Sequence, residues 1–225
     1  MKTVNLLSLE NKAISDEFLD SAWKDAWEHN KVSQFVSTGQ EEALWRAAGR
    51  ATKANPNKED GSWWEENGRK MLERWKTWRT GTNGWSLWVT PEGIPAIELG
   101  LNPTIAGVRV QMHIDRVMVN PEGEMVIVDL KTGQRVPSSD LQLAFYAVGL
   151  EMQFGIRPKY GTYWMARDGV TSPVVDLDFY TIDKIEEIVA QFDKARKEGI
   201  FVPNFSHCKM CDLVDKCKWT NKEKQ

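Results

Sequence analysis

Two aspartates and a lysine stand where strand sequence should be apolar. The stretch IDRVMVNPEGEMVIVDLKTG, residues 114–133, has apolar runs on both sides of one turn, yet carries Asp115, Asp129 and Lys131. With the turn centred on Glu122 and the strands antiparallel, Val119 faces Met125, Val117 faces Ile127 and Asp115 faces Asp129. His113 then falls opposite Lys131. Because strand side chains alternate, Asp115, Asp129 and Lys131 share one face, and Ile114, Met118, Val126, Val128 and Leu130 share the other. A slip of one residue would part the charges, and the apolar set resists it.

Like charges directly opposite on a sheet repel, and burying one unpaired costs on the order of several kcal/mol. A divalent cation between the carboxylates removes that cost. Few hard oxygen donors, with positions left for water and phosphate, suit Mg²⁺ or Mn²⁺. Lys131 beside such an ion can hold or polarise an attacking water, so the set fits metal-assisted phosphodiester hydrolysis. The plain alternative is a surface hairpin in which Lys131 pairs with Asp129.

Two more features bear on the choice. Glu98 is a lone acid in the apolar strand AIELGL, with small Ala96 and Gly100 on its side, and can supply a third carboxylate. Gln142 and Tyr146 stand four residues apart in LQLAFYAVGLEMQFG, on one face of a helix. Gln142 also fits a capping box with Ser139, and Tyr146 also fits a core position.

Residues 1–80 have helical character. Ser15 or Asp16 can cap a segment with Phe18, Leu19, Ala22, Trp23 and Ala26 at helical spacing; a second segment spans about 41–54, and SWWEENGRKMLERWKTWR forms a third. Eight of eleven tryptophans fall within the first 85 residues, which predicts a helical cap packed by indoles, with base-stacking platforms as the alternative for one or two of them. From about residue 85 the pattern turns to strands: WSLWVT-PEG-IPAIELGL, then the long strand pattern GVRVQMHIDRVMV, then MVIVDLK. A buried helix at 141–155 follows, then the strand KYGTYWMARDG closed by Asp168-Gly169. Last comes an amphipathic helix, IDKIEEIVAQFDKARKEG, with Ile185, Ile188, Val189 and Phe192 inward and Gly199 as its stop. This predicts one α/β unit: a helical lobe over 1–84, a core over 85–200 and a cysteine-bearing tail over 201–225.

The tail HCKMCDLVDKC places Cys208, Cys211 and Cys217 in C-x2-C-x5-C spacing, which suits an iron–sulfur cluster or zinc as well as three reduced thiols. An odd cysteine number argues against a disulfide framework and fits a reducing compartment. No run approaches the roughly 18 apolar residues of a membrane span, and the start MKTVNLLSLENK is too polar for a signal peptide, so a cytoplasmic protein is expected. Net charge is −3, so a nucleic-acid partner would need a local basic surface or bound cations.

Glu98, GVRVQMHIDRV, VIVDLKTG and DLQLAFYA, in that order over about residues 94–150, resemble the PD-(D/E)XK nuclease core of the RecB-like exonuclease family, with its CRISPR-associated and AddB-type members. The resemblance implies a restriction-endonuclease-like fold, a mixed central sheet flanked by helices. It implies that Asp115 and Asp129 bind Mg²⁺ or Mn²⁺, with Glu98 as a further ligand, that Lys131 is the catalytic lysine, and that Gln142 and Tyr146 support the site or the DNA backbone. It implies DNA as partner, single-stranded by preference, in recombination, repair, or CRISPR or phage DNA processing. No P-loop is present, so any unwinding would come from a helicase or other recombination or CRISPR protein.

Two departures stand out. The family's upstream histidine has no counterpart in ENGRKMLERW, leaving Glu65, Glu66 or Glu98 for its role. The tail is similar to the three-cysteine segment that, with a distant N-terminal cysteine, binds a [4Fe–4S] cluster in family members; this chain has no cysteine before Cys208. A non-cysteine ligand, a three-iron cluster, zinc with His207 or His29, or loss of the cluster would each account for that. The incomplete ligand set also fits a binding module that keeps the fold without catalysis.

Overall fold

The computed structural model describes residues 15–39, 59, 61–80, 84–205, 208, 211, 216, 217 and 219. Two helices come first, α1 (Asp16–Thr38) and α2 (Gly61–Thr80). Strands β1 (Ser86–Leu87), β2 (Ile97–Leu101), β3 (Thr104–Ile105), β4 (Val108–Arg109), β5 (Met112–Val119) and β6 (Met125–Lys131) follow. Helix α3 (Leu141–Phe154) leads to β7 (Tyr160–Met165), β8 (Val170–Thr171) and β9 (Val175–Asp176), and α4 (Ile182–Lys197) follows.

The hairpin around Glu122 forms the middle of a mixed sheet. Asn120 accepts from Glu124 N through its side chain (2.7 Å) and donates its own N–H to Glu124 O (2.9 Å). That turn fixes the expected register: Val119 pairs with Met125, Val117 with Ile127 and Arg116 with Val128. β1 and β2 share the outer edge of β5, one after the other. β6 runs parallel to β7 through α3, and β8 and β9 share the far edge of β7. The predicted strand GVRVQMHIDRVMV divides at Val110–Gln111: its first part is β4, paired with β3 in a small separate hairpin.

Successive residues of β6 serve opposite faces, which is why MVIVDLK carries a nearly continuous apolar run. Ile127 lies in one core cluster with Leu143, Ala147 and Leu150 of α3 and Ile185 of α4. Val126 and Val128 pack on the other side with Leu19 of α1 and Met71, Leu72 and Trp75 of α2. Trp75 is fully buried there, and Trp23, Trp63, Trp64, Trp78 and Trp85 pack around it, so indoles do cement the helical layer. Ser15 caps α1, its hydroxyl accepting from Phe18 N at 3.1 Å. The segment at 41–54 lies outside the described residues.

Phe192 departs from its expected inward position and is 68% exposed, while Ile185 and Val189 are buried. The apolar stripe of α4 outruns the core, and Phe192, Ile200, Phe201 and Val202 line a surface groove of about 650 Å³.

Glycine inside a helix costs about 1 kcal/mol relative to alanine, so Gly68 in the middle of α2 calls for a reason. A Cβ there would stand 2.0 Å from Trp23 of α1. The Trp23 indole also donates to Glu65 O at 3.2 Å, across the same contact. Gly68→Ala should therefore destabilise the protein by about 1–3 kcal/mol through overpacking. In a Trp23→Ala background the same change should be neutral or stabilising, as urea unfolding would show.

Candidate active site

The β5–β6 ladder stops at Arg116–Val128, one pair before the two aspartates. In place of the next backbone bond, the Asp115 carboxylate accepts from Leu130 N at 2.7 Å. The carboxylate thus holds β6 at the level of Asp129, keeping the two acids adjacent while the strands separate. The pleat changes phase at this point. Met112, Ile114 and then Val117 face α3, and on β2 Ala96 and then Leu99 make the same step of three. Glu98, inside that step, has φ +49, a conformation costly for a side chain other than glycine.

The phase change corrects three expectations. Ile114 belongs to the α3 core rather than to the face of Met118, Val126 and Val128. Ala96 is in that core, whereas Gly100 is exposed, so they do not flank Glu98 on one side. His113 is exposed and pairs with Gly100 of β2, because the β5–β6 ladder does not extend to Lys131. Nor is the opposite face purely apolar: Arg116 is fully buried there, its guanidinium 5.3 Å from the Trp75 ring. Burial, with Arg79 nearby, pushes Arg116 down to about 9.

Asp129 is 2% exposed, and its Oδ2 lies 2.6 Å from Lys131 Nζ. That oxygen has no well-aligned hydrogen-bond donor, so the lysine serves it as an ion-pair partner. Lys131 Nζ also donates to Gln142 Oε1 at 2.9 Å, and Gln142 Nε2 donates to Tyr146 Oη at 2.8 Å. Gln142 therefore faces the sheet rather than closing a capping box; Ser139 instead accepts from Leu141 N at 3.3 Å. A Cβ on Gly149 would meet Met112 Sδ at 2.8 Å, so glycine there lets α3 lie close on the sheet. The spacing rule for helices then aims Gln142 and Tyr146 at the site. Sequence reading missed Tyr163, whose ring lies 5.8 Å from Lys131 Nζ and whose hydroxyl donates to Ser139 O at 3.1 Å.

The charges act on one another. Burial raises Asp115 to about 6; the Leu130 N–H opposes the rise, and the charges of Asp129 and Glu98 add to it. Burial likewise raises Asp129, with Lys131 opposing. Tyr146 is raised by burial, and all three carboxylates push it the same way. Glu98 is thus felt at both Asp115 and Tyr146. Glu65 and Glu66 are exposed on α2, where Glu66 pairs with Lys70 at 2.5 Å, and neither is among the charges acting on Asp115.

Two carboxylates whose proton affinity burial raises, the charge of Asp129 adding to the rise at Asp115 and one Asp129 oxygen lacking an aligned donor, fit a divalent cation of hard character. Asp115 and Asp129 are the donors that fit, with Glu98 adjoining. Among the described residues, no three His, Cys, Asp or Glu side chains already converge as a metal cage. In the tail, Cys208, Cys211 and Cys217 are half-buried and are likewise not grouped as metal ligands among the described residues. His29 is exposed on α1, and His207 lies outside the described residues.

Residues 10–218 match the PD-(D/E)XK nuclease superfamily. The chain belongs to that superfamily. It is 32% identical over 218 residues to the Gene 69 protein of Mycobacterium phage D29, covering 86% of this chain and 79% of that protein. The Gene 69 protein of Mycobacterium phage L5 is 32% identical over 177 residues, 67% of this chain and 60% of that one. A solved structure of a candidate exonuclease from Eubacterium rectale overlays with a TM-score of 0.40 at 14% identity, covering 94% of this chain and 77% of that one. PD-(D/E)XK nucleases generally use divalent metal ions, in keeping with the donor set at Asp115 and Asp129. No helix among the described residues is long and apolar enough to cross a membrane.

Because Asp115 sits above its ordinary value of 3.8, the folded PD-(D/E)XK chain binds that proton more tightly than the unfolded one. Without divalent cations, stability should therefore fall as pH rises from about 4 to about 6 and level off above that. The shift corresponds to about 3 kcal/mol, reduced by solvent screening to about 1–2 kcal/mol. Asp115→Asn should flatten this fall, as urea unfolding in EDTA at pH 4.5 and 7.5 would show. An identical pH dependence in the two proteins would contradict the assignment.

Proposed function

We propose that this chain is a metal-dependent deoxyribonuclease that degrades DNA from an end, with single strands as its preferred substrate. The observation that carries the reading is the position of Lys131, 2.6 Å from Asp129 and 2.9 Å from Gln142. Asp115 and Asp129, with Glu98 adjoining, would hold Mg²⁺ or Mn²⁺, and the ion would offset phosphate charge and lower the pKa of a water.

The rest falls to side chains of this chain. An ammonium has three N–H donors; Gln142 engages one while Asp129 holds the charge as an ion pair, which leaves a donor for the attacking water or a phosphate oxygen. Tyr146 accepts from Gln142 Nε2, which orients the amide so that its oxygen faces Lys131. The buried Asp129 fixes the lysine from the other side. Hydrolysis would leave a 5′-phosphate and a 3′-hydroxyl, as the resemblance to RecB-like exonucleases implies. The end and single-strand preferences rest on that same resemblance, as does a role in recombination, repair, or CRISPR or phage DNA processing. A helicase or similar partner would supply the strand where the substrate is duplex.

The test is degradation of end-labelled single- and double-stranded DNA with Mg²⁺ or Mn²⁺. Lys131→Ala should slow cleavage by roughly 10²-fold or more, the scale of a lost proton-handling group. Asp115→Ala and Asp129→Ala should abolish the response to metal. Intact single strands after incubation with the wild type would sink the reading; equal degradation by Lys131→Ala would trace the activity to a contaminant.

A further inference from the structure

β6 ends at Lys131, and the chain then enters a stretch, residues 132–136, that is exposed at every position. That stretch leads toward α3 and Gln142, so both partners of the Lys131–Gln142 hydrogen bond depend on how its ends are held. The α3 end is fixed by packing on the sheet. The Lys131 end is held by two successive residues beyond β7: Ala166 N donates to Lys131 O at 2.9 Å, and Arg167 Nε donates to Thr132 O at 2.8 Å.

Arg167 is itself locked. Its two terminal nitrogens donate to Glu59 Oε1 and Oε2 at 2.9 and 2.8 Å, a fork on a carboxylate only 3% exposed. The guanidinium carbon lies 4.6 Å from the Trp63 ring and 5.3 Å from the Trp64 ring, both at the start of α2. Gln134, from the exposed stretch itself, donates to the same Glu59 Oε1 at 2.7 Å. A planar, bidentate and stacked guanidinium is a geometric constraint that lysine cannot reproduce. A buried ion pair is at the same time an expensive route to bulk stability, which points to positioning as its use here.

We propose that the Glu59–Arg167 pair, with Gln134, is a positioning device for Lys131: it clamps the chain past the lysine to α2 and so keeps the ammonium between Asp129 and Gln142. This rests on the nuclease reading for its catalytic consequence, and on geometry alone for the clamp. Arg167 and Glu59 are positioning residues; they act through Lys131.

The experiment uses the full chain, with Arg167→Lys, Glu59→Gln and the milder Gln134→Ala, each assayed below its own melting temperature. On end-labelled single-stranded DNA with Mn²⁺, Arg167→Lys should lower kcat by about tenfold or more with KM changed by less than about twofold, as expected for a displaced reacting group. In a Lys131→Ala background, Arg167→Lys should cause no further loss. An equal loss in that background would overturn the proposal, because the arginine would then act independently of the lysine. A rise in KM at constant kcat would overturn it as well, by placing Arg167 in substrate binding.

Hydrogen exchange gives a readout free of activity. Arg167→Lys should speed exchange at the Ala166 amide, whose bond to Lys131 O holds the end of β6, and leave α3 unchanged. Should the wild type cleave no DNA, the nuclease reading fails alone, and unchanged exchange at Ala166 would separately overturn the clamp.

Discussion

The bond from Leu130 N to the Asp115 carboxylate is the constraint on which the rest of the site depends. A backbone carbonyl in that place would have continued the ladder and left the two strands flat and equally spaced. With a side chain in the role, the ladder ends one pair early and the pleat shifts phase. The two carboxylates then stand just beyond the last β5–β6 pair, where these two strands open. Burial of the carboxylate that makes this bond raises Asp115 to about 6 although the bond itself opposes the rise, and the cost of that buried charge is what a cation would relieve.

Around this opening the two hydrophobic layers have different tasks. The α3 side supplies position: a close helix-to-sheet approach at Gly149 sets Gln142 and Tyr146 over the end of β6. The α1–α2 side supplies rigidity through indoles and arginines. Arg116 passes from the site strand into that layer beneath Trp75, and Arg167 reaches it from the β7 end. The site strands are thus gripped from behind by cations stacked on tryptophan, an arrangement that tolerates buried guanidinium groups because they are weakly hydrated and planar.

Much of the fold was legible because its periods are strong. The turn centred on Glu122 set the β5–β6 register, and the caps and apolar stripes gave α1, α3 and α4. Where the structure departs from the sequence pattern, the causes are local. Continuing the hairpin register puts His113 opposite Lys131, but the Asp115 bond ends the ladder first. The helical stripe of α4 puts Phe192 inward, yet a stripe shows which residues could be covered and says nothing of how far the neighbouring element extends. The division of GVRVQMHIDRVMV into two strands left no trace in its alternation, because both pieces are strand.

The sequence by itself determined the family, the register of the charged hairpin and the pairing of Gln142 with Tyr146, because each follows from short-range periodicity or from residue order along a few segments. Only the tertiary structure decided that Gln142 turns to Lys131 rather than to its own helix cap, and that Glu98 bends into the left-handed region beside Asp115. It alone joined Glu59 to Arg167 across 108 positions of chain. Those are contacts between side chains whose choice among competing partners is made by packing, and packing is a property of the folded layers rather than of any segment within them.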